Sequence, residues 1–192
     1  MRKILITGFE PFGGSTVNPS WLAVQALPDK LGQTELTKLE IPTVFGKAAA
    51  IVLEKARKIG ADTIICVGVA AGRDAVTPER IAVNIRDARI PDNAGGQPQG
   101  DFVVANGPAA YFSTLPVEKI TQAIHNAGVR ASVSNSAGTY VCNDVFYSLL
   151  HAFYDTDVRV GFIHVPQLSE SDPQFTLEHI VTALTAAINA CK

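Results

Sequence analysis

Apolar residues are spaced in two ways along this chain. Ile4-Leu5-Ile6-Thr7 is a short unbroken run closed by Gly8, and Asp62 to Val69 holds the β-branched run Thr63-Ile64-Ile65-Cys66-Val67. Runs of this kind form strands covered on both faces. Leu36 to Ile41, stopped by Pro42, reads as another strand, as do Arg130 to Ser134 and Val158 to Val165. Between these runs the apolar positions recur once per helical turn. Trp21, Leu22, Val24 and Leu27 follow the start Asn18-Pro19-Ser20 and precede Pro28; Phe45, Ala48, Ala49, Val52, Leu53, Ala56 and Ile59 lead to Gly60. Val117 to Ala127, Cys142 to Tyr154 and Phe175 to Cys191 repeat the pattern, so five helices are expected. Residues 79–90 alternate at Ile81, Val83 and Ile85 and predict an extended segment. Pro91 to Gly107, rich in Gly, Pro, Asn, Asp and Gln, predicts a long loop of the functional or mobile kind.

Strands alternating with helices imply an α/β fold: a twisted, mostly parallel sheet covered by helices on both faces, in three layers. Neither a linker nor an internal repeat interrupts the pattern, so residues 1–192 are expected to form a single domain.

Composition narrows the function. With 47% hydrophobic and 18% charged residues the chain holds ample core material and does not read as disordered. A formal net charge of −2 and the lack of any Lys/Arg-rich run argue against a nucleic-acid partner. The three cysteines, Cys66, Cys142 and Cys191, are odd in number and widely spaced, which fits neither a disulfide framework nor a zinc ribbon. Gly8 and Glu10 cut the N-terminal apolar run too short for a secretory signal, and no run approaches the roughly 20 apolar residues that span a bilayer. These features predict a cytoplasmic protein without a membrane partner.

In open α/β sheets ligands collect outside the carboxyl ends of the strands. The segments expected there are Gly8 to Gly14 with Phe9 and Phe12, then Gly68 to Arg73 leading to Thr77-Pro78-Glu79-Arg80, then Ser134 to Cys142, and finally Phe162-Ile163-His164-Val165-Pro166. Cys142 falls where a glycine turn gives way to a helix, and free N–H groups and the helix dipole favour a thiolate there. With a histidine base nearby it would be an activated nucleophile, its own N–H available to an oxyanion. On spacing alone Cys142 stays open between packing and catalysis, and His164 between a hydrogen-bonded core histidine and a base. Glu79 stays open between the acid that orients such a histidine and a solvated partner of Arg80. His125, His151 and His179 sit on polar or mixed helix positions. Gly13-Gly14 lacks both GxGxxG and a P-loop lysine, so it does not read as a phosphate loop.

Taken together, Ile6 to Gly14 with Asn18 to Trp21, Thr77 to Asn84, Asp87 to Asn93, Gly107 to Phe112, Ser136 to Asn143 and Gly161 to Pro166 closely resemble the pyroglutamyl peptidase I family. The matching stretches lie in the family's order over nearly the whole chain. The resemblance implies a cysteine omega-peptidase that hydrolyses the amide bond after an N-terminal pyroglutamyl residue, through a thioacyl-enzyme. Its triad would be Cys142 as nucleophile, His164 as proton shuttle and Glu79 as orienting acid, with no metal and no cofactor. Phe9 and Phe12 would sandwich the flat lactam ring, with Thr43, Val69, Ile90, Tyr140 and Val141 as further lining and Arg89 near the scissile carbonyl. Peptides with N-terminal pyroglutamate would be the partners, and a homo-oligomer, often a tetramer, the assembly. The chain departs from the family pattern at Val69, where glutamine is common, at Asp144, where histidine is common, and at Gln167, where tyrosine is common. It also has a short segment, Leu168 to Pro173, in place of a longer loop. A lactam-binding protein with little turnover and a nucleoside-phosphorylase-type transferase are the competing classes; the complete triad opposes the first, and the paired glycines are the second's only support.

Overall fold

The apolar runs become neighbouring strands in the computed structural model, which describes residues 1–169, 172 and 175–191. In chain order the elements are β1 (Arg2–Phe9), α1 (Pro19–Ala26), β2 (Lys30–Leu31), β3 (Thr34–Ile41), α2 (Lys47–Ile59), β4 (Thr63–Val69), β5 (Thr77–Pro78), β6 (Ile81–Val83), β7 (Arg86–Asp87), β8 (Gln99–Asp101), β9 (Ala110–Phe112), α3 (Val117–Asn126), α4 (Val141–Ala152), β10 (Arg159–Val165) and α5 (Leu177–Ala190). Among the described residues the main sheet runs β2-β3-β1-β4-β10-β5. Strands β3, β1, β4 and β10 are parallel, while β2 and β5 pair antiparallel at the two edges. Of the short Leu168 to Pro173 segment, residues 170, 171 and 173 lie outside the described residues.

Alternation along the strands sorts the core into two layers. Ile4, Ile6, Ile65, Val67, Ile163 and Val165 face α1, α3 and α5, and Leu5, Ile64, Cys66, Val160 and Phe162 face α2 and α4. Both faces are therefore covered, as the unbroken apolar runs require. Phe162 is 1% exposed, so truncating it to alanine would cost about 3–5 kcal/mol. Helix α1 lies directly on β1: a Cβ on Gly8 would stand 2.5 Å from the Trp21 backbone. Any side chain there would push the helix off the strand end that leads into the site.

Three expectations change in detail. Arg130 to Ser134 is not a continuous strand, and among the described residues it joins the sheet edge through the bridges Val76↔Ala131 and Glu79↔Ser134. The bonds Val76 N–H to Arg130, Ser132 N–H to Val76, Ser134 N–H to Pro78 and Arg80 N–H to Ser134 are all made. The missing rung is the one Pro78 would donate, and proline has no N–H. The alternating 79–90 segment divides into β6, paired with β9, and β7, paired with β8. The loop from Pro91 is anchored: Asp92 accepts from the N–H groups of Ala94, Gly96 and Phe45.

Candidate active site

Strand parity decides where the candidate residues point. His164 follows Val160 and Phe162 at even spacing, so its ring lies on the α4 side, with its centroid 4.7 Å from that of Phe162. In the sheet His164 stands opposite Gly68 of β4. A Cβ on Gly68 would come within 3.0 Å of Cys142 Sγ and 2.9 Å of the Phe162 ring, so the missing side chain is the space that the sulfur uses. Cys142 thus lies over the strand pair that carries His164. It is the second residue of α4, where its backbone N–H has no intrahelical partner. Buried Asn143 fixes this first turn to β6: its Nδ2 donates to the carbonyls of Val83 (2.8 Å) and Ile85 (3.0 Å), and its Oδ1 accepts from Val83 N–H (2.9 Å).

Glu79 reaches the same face from the sheet edge, where its N–H donates to Phe162 O at 2.9 Å. Its Oε1 lies 2.7 Å from His164 Nδ1, and Glu79 is fully buried while His164 is 4% exposed. An ionised Glu79 can only accept, so Nδ1 carries the proton and Nε2 is left free as a base. The alternative of Glu79 as a partner of Arg80 is not what is found among the described residues. Arg80 turns to Asn135 and to Glu118 (3.0 Å), because successive residues of an extended segment point to opposite faces. Arg73 takes that place: its Nη1 donates to Glu79 Oε1 at 2.6 Å and to Thr77 Oγ1, and its Nη2 to Ser136 O at 2.9 Å. Among the described residues no hydrogen bond reaches buried Glu79 Oε2, and the nearby Ser134 hydroxyl donates to Ser136 O at 3.1 Å.

The surroundings set the protonation states. Burial pushes the Glu79 carboxyl up, but hydrogen bonds and charge from His164, with the Arg73 hydrogen bond, outweigh it and hold it below its ordinary value. Burial pushes His164 down, and Arg73 adds to this, while Glu79 opposes; the net direction is down, so the ring is neutral at pH 7. Burial pushes the Cys142 thiol up to about 12, with the Glu79 charge adding, whereas Arg73 and the local backbone N–H favour the thiolate. The helix start therefore does not make a resting thiolate. The arrangement is a thiol over the strand pair that carries a neutral imidazole, a setting suited to general-base activation, and Cys142 as a residue is half-buried.

Beside this cluster Phe12, Val69, Ile90 and Gln167 line a cleft of about 240 Å³. The Tyr140 ring lies 6.2 Å from that of Phe12 and 5.4 Å from that of Phe45. Thr43 is buried at the cleft's loops, whereas Arg89 and Ile90 are exposed. Phe9 and Val141 pack in the core, Phe9 with its ring 6.3 Å from Phe162. The loops are tied together at Glu10, whose Oε1 accepts from Thr43 N–H (3.0 Å) and Asn93 Nδ2 (2.8 Å). Asn93 also donates to Pro11 O, and Tyr140 to Pro91 O at 3.0 Å.

A family model described as pyroglutamyl peptidase matches residues 2–192. The chain belongs to the pyroglutamyl peptidase family. It is 46% identical to the pyrrolidone-carboxylate peptidase of Bacillus amyloliquefaciens over 97% of this chain and 90% of that one. To the pyrrolidone-carboxylate peptidase of Vibrio vulnificus it is 45% identical, over 100% and 93%. The crystal structure of pyroglutamyl peptidase I from Bacillus amyloliquefaciens superposes with a TM-score of 0.94 at 44% identity, covering 99% of this chain and 94% of the other. Membership makes this chain a cysteine-type pyroglutamyl peptidase, an enzyme that removes N-terminal pyroglutamate.

Against this family background three of the departures acquire a setting. Val69 and Gln167 line the same cleft, so an apolar side chain and an amide share one wall region. Asp144 is fully buried and bound to Arg86 and to the N–H of Gly46. Arg73, Glu10 and Asn93 had no role in the sequence reading. Only their location after strands, in Gly- and Pro-rich stretches, marks them, because the groups they meet are far along the chain.

Proposed function

We propose that this pyroglutamyl peptidase works through Cys142, His164 and Glu79. With substrate bound, the Cys142 thiol gives its proton to His164 Nε2 while Sγ bonds to the pyroglutamyl carbonyl carbon. The oxyanion is held by N–H groups at the start of α4, that of Cys142 among them. The imidazolium passes the proton to the leaving amine, the C–N bond breaks, and a thioacyl-enzyme remains. A water then gives a proton to Nε2 and its oxygen to the carbonyl carbon; the C–S bond breaks, and the proton returns to sulfur as pyroglutamate leaves. Glu79 keeps the ring oriented and balances the imidazolium.

The observation that carries this reading is the buried 2.7 Å contact of Glu79 with His164, opposite the Gly68 gap that admits Cys142 Sγ. The lactam would lie against Phe12, Val69, Ile90 and Tyr140, with Thr43, Phe9 and Val141 shaping the wall behind and Arg89 at the rim. A neutral lactam offers no charge, so ring faces supply area and a few polar groups fix its orientation. The reading includes N-terminally blocked peptides as substrates and a homo-oligomer, both by family resemblance. It also includes a cytoplasmic location, supported by three free cysteines. Among the described residues no helix is long and apolar enough to cross a membrane.

Hydrolysis of a chromogenic pyroglutamyl amide, run beside its prolyl and glutamyl analogues, tests the proposal. Only the pyroglutamyl compound should be turned over, and Cys142→Ser should abolish that turnover. Equal rates on the prolyl analogue would reject the lactam reading.

A further inference from the structure

The candidate triad carries a charge problem that its three members cannot solve. Glu79 is a fully buried carboxylate whose histidine neighbour is neutral at rest. Cys142 is a thiol at rest, so the three groups together hold one uncompensated negative charge. Transfer of the Cys142 proton to His164 does not change that sum, since a thiolate and an imidazolium cancel. A lone buried charge is costly, and the usual relief is uptake of a proton. Here the extra proton would go to His164, the group that must stay unprotonated to act as a base.

Arg73 supplies the missing charge. Its guanidinium donates to the same Glu79 oxygen that His164 meets, at 2.6 Å against 2.7 Å. Two further bonds, to Thr77 Oγ1 and Ser136 O, fix its direction from the turn after β4. With Arg73 included, the cluster is neutral both before and after the proton moves. Other charges nearby are engaged elsewhere: Arg80 with Glu118, and Arg86 with Asp144. The ionisable groups acting on the imidazole are Glu79 at the sheet edge and Arg73 from the turn; the Cys142 sulfur on α4 feels the same two, with Cys66 on β4 besides.

We propose that Arg73 is a positioning residue of the catalytic unit, which neutralises Glu79 so that His164 remains an unprotonated base at neutral pH. Among the described residues its hydrogen bonds go to Glu79, Thr77 and Ser136, and it is not part of the cleft lined by Phe12, Val69 and Gln167, so its contribution belongs in the pH dependence of turnover and not in substrate binding. The inference rests on the Cys142–His164–Glu79 reading.

The test is the pH profile of kcat/KM on a pyroglutamyl amide for wild type, Arg73→Met and Arg73→Lys, with Cys142→Ser alongside. In Arg73→Met the acid limb should move up by about one pH unit, within the range one neighbouring charge commands. The loss at pH 6 should then exceed the loss at pH 8 several-fold, with KM little changed. Arg73→Lys, which keeps the charge but not the fork, should return the limb most of the way. Should the Met variant not fold, Arg73→Gln, which keeps a donor for Ser136, reads the same limb. A folded neutral variant with reduced kcat but an unmoved acid limb would overturn the role assigned to Arg73 while leaving the triad standing. Turnover by Cys142→Ser would instead overturn the triad beneath it.

Discussion

Arg86 and Asp144 form an ion pair between β7 and the first turn of α4, with Asp144 fully buried and 2.6 Å between their atoms. The second carboxylate oxygen accepts from the N–H of Gly46 at 2.7 Å, just before α2. One side chain therefore ties the helix that carries Cys142 to two neighbouring segments. Asp144→Ala leaves a guanidinium and an N–H without their acceptor. It should cost about 3 kcal/mol, the low end for a broken buried pair because Arg86 keeps some exposure to water. Urea unfolding of the two proteins measures it, and a loss below about 1 kcal/mol would mean that water replaces the carboxylate.

Glu79→Gln keeps the shape at His164 but removes the charge that stabilises the imidazolium. An amide can also present its NH₂ to Nδ1 and favour the wrong tautomer. Turnover should drop by about three to four orders of magnitude, as when the acid of a comparable triad is neutralised. Circular dichroism should be unchanged. An effect confined to KM would show that Glu79 serves binding alone.

Val69→Gln restores to the cleft the side chain common in the family. One added hydrogen bond contributes about 0.5–1.5 kcal/mol. KM on pyroglutamyl amides should fall by about two- to tenfold with kcat nearly constant. Gln167 lines the same cleft and already offers an amide. An unchanged KM in Val69→Gln together with a raised KM in Gln167→Ala would show that Gln167 fills the role.

Iodoacetamide should modify Cys142 first and abolish activity with one equivalent bound. Cys66 is fully buried on β4, its thiol pushed up to about 12 by burial, and should react far more slowly. Alkylation of Cys142 requires neutral His164, whose pKa is lowered from its ordinary 6.5. The rate should therefore rise with pH through a midpoint below 6.5; a midpoint at or above 6.5 would contradict the dry setting of the ring. Peptide mapping after labelling at several pH values gives both answers.

The layers were legible because β1, β4 and β10 are apolar on both faces and the helices between them keep a clean period. Cys142 at a helix start and His164 at a strand end were legible for the same reason, since both stand where a regular pattern stops. What could not be read is pairing across distance. Nothing local says that Glu79 meets Arg73 and not its neighbour Arg80; that follows from which face each side chain takes once β5 joins β10. Likewise the sequence marks Arg130 to Ser134 as a strand, but the missing donor belongs to Pro78 on the other side of the gap. Local pattern fixes what an element is, while register with a remote partner fixes what it touches.

The tie at Glu10 bears on how so small a ligand could be held at all. A five-membered lactam has few atoms with which to recover the freedom lost on binding, and ordering several loops around it would consume much of that gain. Glu10 and Asn93 join the turn after β1, the turn after β3 and the loop beyond Ile90 before any ligand arrives. The loops around the cleft are thereby joined in advance, and part of the entropy of shaping it was spent when the chain folded. Recognition of a minimal, uncharged group then depends less on the strength of any one contact than on walls that do not need to be assembled.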